Sequence, residues 1–101
     1  MSQHSKQISD LARQDRIAFK KHSLLRMHER KLNADEVKMA LEHGEIIEQY
    51  PEDHPLSSYL ICAHPSKQKI IHVVVALDIN DQMLWVITVY IPEPEEWEED
   101  C

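Results

Sequence analysis

The sequence predicts a single α+β domain, with N-terminal helices packed on one face of a four-stranded antiparallel sheet. Three observations carry that reading. Residues 70–92, IIHVVVALDINDQMLWVITVYIP, hold two runs dense in Val, Ile and Leu around a polar link. β-Branched and aromatic enrichment on both sides of an Asn-Asp turn argues an antiparallel hairpin rather than two helices. Before it stand two further short apolar runs, EIIEQY ended by Pro51 and SYLICAH ended by Pro65. Ahead of these, NADEVKMALEHG carries helical start and stop signals.

In chain order, residues 1–8 read as a frayed terminus. Ser9 caps a short weak helix over 9–19, with Leu11, Ala12 and Ala18 on its apolar side. A better supported helix runs over 21–31, where Leu24, Leu25, Met27 and Leu32 form the expected buried stripe. His22, Arg26 and Arg30 recur at i, i+4, i+8 along another side. Asn33 is the N-cap of the next helix, and Glu36 stands three residues on, in a capping-box arrangement. Gly44, the only glycine, stands where a left-handed C-cap belongs.

Strands are expected over 45–50, 58–64, 70–77 and 83–91. With 78–82 as the hairpin loop, Leu77, Val75, Val73 and Ile71 face Met83, Trp85, Ile87 and Val89 on one apolar side. The other side then gathers His72, Thr88 and Tyr90. This divides the chain into an N-terminal extension over 1–20, a domain over 21–92 and an acidic tail over 93–101.

Composition narrows the class. The chain has 101 residues, of which 43% are apolar, and no apolar run spans a bilayer. No apolar signal-peptide core opens it, and its two cysteines, Cys62 and Cys101, make no disulfide framework, so a cytoplasmic protein is expected. A net charge of −7 hides an asymmetry, with +5 over residues 1–32 and −12 beyond. Half of that acidity lies in 93–100, around Trp97, and suits a tail that docks on this protein or on a partner.

The blocks HSLLRMHER, GEIIEQYP, HVVVA, ITVYIP and WEED, in that order over about 20–100, resemble a bacterial family known as the domain of unknown function numbered four-two-five-eight. The element order is also similar to BrnT-like toxins and, more distantly, to the RelE/ParE toxin fold. That resemblance implies a small α/β protein on the toxin side of a toxin–antitoxin system, binding an antitoxin-like partner or RNA. Fold likeness alone does not carry activity.

The residues that suit RNA chemistry are His72, Tyr90, Arg26, Arg30 and His22. Metal-independent cleavage needs a base for the 2′-hydroxyl, cations on the phosphate and an acid for the leaving oxygen. His72 or His22 can take the proton, Arg26 and Arg30 can grip phosphate, and Tyr90 can donate or stack. Each has a plainer reading: a helix-start histidine, surface arginines paired with Glu29 or Glu36, a core histidine. No cofactor is indicated. Cys62, His64 and His72 are a weak metal set, sharing a face only if Cys62 and His72 pair. Three functions follow: partner or RNA binding in a toxin-like protein, an active ribonuclease, or a non-catalytic interaction module, with a homodimer among the assemblies to test.

Overall fold

The computed structural model describes residues 3–66 and 69–92. It has three helices, α1 (Gln3–Arg13), α2 (Lys21–Glu29) and α3 (Ala34–His43). Its strands are β1 (Ile17–Phe19), β2 (Glu45–Tyr50), β3 (Ser58–Ser66), β4 (Lys69–Asp78) and β5 (Met83–Tyr90). The sheet order is β1-β5-β4-β3-β2. The expected four antiparallel strands are present, but the sheet is five-stranded and mixed, because β1 adds to β5 in parallel.

β1 corrects the expected helix over 9–19. Helix α1 forms earlier, across residues expected to fray, and ends where Asp15 takes φ 60°. Arg16 then anchors the chain to the β4–β5 turn, its guanidinium donating to the carbonyls of Asp81 and Gln82, each at 3.0 Å. Leu84 N–H donates to Arg16 C=O at 2.9 Å, and the three residues of β1 continue that ladder. Three residues are too few for a sequence period to register.

The α3 start is as the sequence implies. Glu36 N–H donates to Asn33 Oδ1 at 2.8 Å and Asn33 N–H returns to Glu36 Oε1 at 3.1 Å. Gly44 differs: it is extended, with φ −76° and ψ 176°, rather than left-handed. Its lack of a side chain serves close packing instead. A Cβ there would lie 2.5 Å from Ala40 O and 2.7 Å from Cys62 O.

The hairpin also closes one residue tighter than expected. Asp78 pairs with Met83, and Asp78 Oδ1 accepts from Asp81 N–H at 3.0 Å within the turn. The core therefore takes Leu84 and Val86 rather than Met83 and Trp85. A bulge at Ile87 then restores parity, so that Val73 pairs Val89 and His72 pairs Tyr90. Inward residues Ile71, Val73, Val75, Leu84, Val86 and Val89 are all fully buried. Ile8, Leu11 and Ala12 of α1, Met27 of α2 and Val37, Ala40 and Leu41 of α3 cover them, so residues 3–20 contribute to the same core and sheet.

Helix α2 departs from the expected stripe as well. Met27 and Leu32 are buried, whereas Leu24 and Leu25 are 50% and 56% exposed. Among the described residues no helix is long and apolar enough to cross a membrane. The acidic segment 93–101, with Trp97, lies outside the described residues.

Candidate functional site

Side chains alternate across a strand, so the sheet face away from the helices carries the residues between the core positions. On β3 these are Ser58, Leu60 and Cys62, on β4 His72, Val74 and Ala76, and on β5 Trp85, Thr88 and Tyr90. His72 and Tyr90 meet at one end of this face. His72 Nδ1 and Tyr90 Oη are 3.3 Å apart, and the rings stand edge to face at 5.2 Å between centroids. Cys62 is the register partner of His72 on the other side.

His72 is fully buried, which removes it from the reach of an RNA hydroxyl in this conformation. Cys62 is disulfide-bonded, correcting the expectation of unlinked cysteines and leaving no thiolate for a metal. His64 is exposed near the end of β3, and among the described residues no three His, Cys, Asp or Glu groups converge as metal ligands.

His22, Arg26 and Arg30 sit elsewhere. Met27 places α2 in the helical layer, on the opposite side of the sheet from His72 and Tyr90. The inward side of α2 is Ser23, whose hydroxyl donates to Lys20 C=O at 2.7 Å, and Met27. Its outward side is Lys21, Leu24, Leu25 and His28, spaced i, i+3, i+4, i+7, and all four are exposed. His22, Arg26 and Arg30 flank that stripe. Arg26 pairs with Glu29 at 2.8 Å, an exposed contact of about 0–1 kcal/mol. The five candidate residues thus form two groups separated by the sheet.

Two features escaped the sequence reading. The first is the α2 leucines: Leu24, Leu25 and Met27 look like one stripe, but 23/27 and 24/25/28 are different sides of the helix. Lys20 and Trp85 form the second. Lys20 follows β1 with its Nζ 4.9 Å from the Trp85 ring centroid on the face away from the helices. A five-residue hairpin loop would put Trp85 on the inward apolar side, and the four-residue turn puts it on the opposite one. A wider hollow of about 570 Å³, lined by Met39, His43, Glu45 and His64 among others, lies where α3 meets β2 and β3, with no Phe, Tyr or Trp among its described lining residues.

The family model described as "Domain of unknown function (DUF4258)" matches residues 19–91, well over half of the chain. The chain belongs to the DUF4258 family. The matched DUF4258 region begins at Phe19, the last residue of β1, and spans α2, α3 and β2–β5. It therefore contains the α2 stripe, the His72–Tyr90 pair and Trp85, while α1 precedes it. No curated protein and no solved structure matches the chain.

Proposed function

We propose that this DUF4258 domain is a partner-binding protein, similar to the toxin side of toxin–antitoxin systems. In this reading α2 docks an acidic amphipathic segment of a partner protein. The observation that carries it is the outward stripe of α2. Leu24 and Leu25 are half exposed side by side, and Lys21, His22, His28, Arg30 and Lys31 surround them. Contiguous apolar surface rimmed mostly by basic residues, with Glu29 one turn from Leu25 already paired to Arg26, suits a helix bearing leucines and carboxylates.

RNA is the competing occupant of the same cations. It fits less well, because bases are held best on large aromatic rings and α2 offers no Phe, Tyr or Trp. RNA would also leave the two leucines in water. The ribonuclease reading through His72, Tyr90, Arg26 and Arg30 draws least support, since the base is buried and the phosphate grip lies across the sheet from it.

The test titrates the purified chain with a synthetic Glu/Leu amphipathic helix and compares the Leu24→Ser/Leu25→Ser variant. Binding should weaken by about tenfold or more in the variant and fall with added salt, while thermal melting stays within a few degrees. Equal binding by the variant would remove α2 as the docking face. Sedimentation of both proteins separates a partner from self-association: a dimer lost in the variant makes the occupant a second copy. Induced expression with RNA integrity followed tests the nuclease reading. RNA decay abolished by His72→Ala/Tyr90→Phe would replace the present conclusion.

A further inference from the structure

The face away from the helices holds a groove that the α2 reading does not use. Its volume is about 460 Å³, within the ~300–1,000 Å³ typical of small-ligand sites. Trp85 and Ile87 on β5, Leu56, and the Asp53-His54-Pro55 turn line it, and Lys20 reaches in from the end of β1. The turn is fixed at both ends. Ser58 Oγ donates to Asp53 Oδ2, and Ser57 Oγ donates to Pro51 C=O at 3.0 Å.

The geometry points to a nucleotide site, with a base stacked on Trp85 and its phosphate held by Lys20. An indole lined up with aliphatic walls is a platform for a flat heterocycle rather than for a flexible chain. The ammonium of Lys20 already lies over that ring, so a ligand carrying both a π-face and an anion satisfies the two groups together. Stacking a base on an indole is stronger than an exposed cation–π contact, so the base displaces Lys20 from the ring. The flexible lysine stem then lets the charge follow the phosphate. His54, exposed on the turn, is a second donor within the same groove, while the carboxylate of Asp53 keeps the phosphate toward the Lys20 side. This site is independent of the α2 stripe.

The experiment uses the full chain carrying Trp97→Phe, so that indole emission reports Trp85 alone. Adenosine and guanosine 5′-monophosphates should quench it saturably below about 10 mM, and ribose 5-phosphate should not. Lys20→Gln should weaken the response by about tenfold, with circular dichroism unchanged. Calorimetry on Trp85→Leu should find binding lost, and Trp85→Phe should restore most of it. A single-stranded tetraribonucleotide, tried beside the mononucleotides, separates the two sources of this chemistry. Tighter binding of the strand makes the occupant a base within RNA, and equal binding makes it a free nucleotide. No quenching by any nucleotide, or equal quenching by ribose 5-phosphate, overturns the assignment.

Discussion

Tyr50 shows how one hydroxyl ties stability to pH. Its Oη donates to Glu48 Oε2 on the same strand, and that hydrogen bond, helped by burial, pushes its pKa from 10.0 up to about 12. The folded state therefore favours the protonated phenol. That contribution is complete below the unfolded value and disappears as pH rises through the folded one. Urea unfolding at pH 9 and pH 12 should show wild type losing its advantage over Tyr50→Phe across the window from 10 to 12. A constant difference would mean that the Glu48 bond does not set the phenol's ionisation. Glu36 works in the opposite direction. Lys69 at 2.8 Å and the Asn33 N–H hold its carboxyl below the usual range, so its share of stability is present above 4.5 and lost on acidification. The Asn33 half of that environment was legible in the sequence, as a capping box three residues apart. Lys69 was not, because it arrives from a strand 33 residues away.

At the scale of elements, the ends of α3 illustrate two kinds of signal. Its N-terminus is a local motif, read correctly because all partners lie within one turn. Its C-terminus is a tertiary contact. Gly44 passes so close to the β3 backbone that a methyl group would meet two carbonyl oxygens, at 2.5 and 2.7 Å. Carbonyls of a helix and a sheet cannot rotate away as a side chain can. Gly44→Ala should cost about 3 kcal/mol in chemical denaturation, near the top of the usual range for overpacking. A loss below about 0.5 kcal/mol, the level of a neutral surface change, would show that α3 and β3 part easily. The hairpin makes a related point. Its alternating pattern identified both strands and the inward side of β4. The four-residue turn and the bulge at Ile87 then shifted β5, moving Trp85 from the expected core to the groove.

At the scale of the molecule, residues 3–20 are the test of where the domain begins. The family match starts at residue 19, yet Ile8, Leu11 and Ala12 are buried in the common core and β1 covers the edge of β5. Losing a buried Ile and a buried Leu costs about 2–5 kcal/mol each, against a total of about 5–15 for a typical domain. Deleting residues 1–20 should therefore abolish the cooperative thermal transition seen by circular dichroism. A truncated chain that melts cooperatively near the wild-type temperature would restore the extension as a dispensable segment.

The sequence by itself determined what depends on neighbours along the chain. The helix start at Asn33, the strands ended by Pro51 and Pro92, the α+β class and the sharing of one face by His72, Thr88 and Tyr90 follow from local propensity and a period of two, whereas the direct pairing of His72 with Tyr90 needed the tighter turn and the bulge. Tertiary structure alone decided the parallel edge strand, the side of the sheet on which α2 lies and the exposure of Leu24 and Leu25. Those outcomes depend on how finite apolar area is shared among three helices over one sheet face. α2 packs beside β5 and buries only Ser23 and Met27, so its leucines turn to solvent.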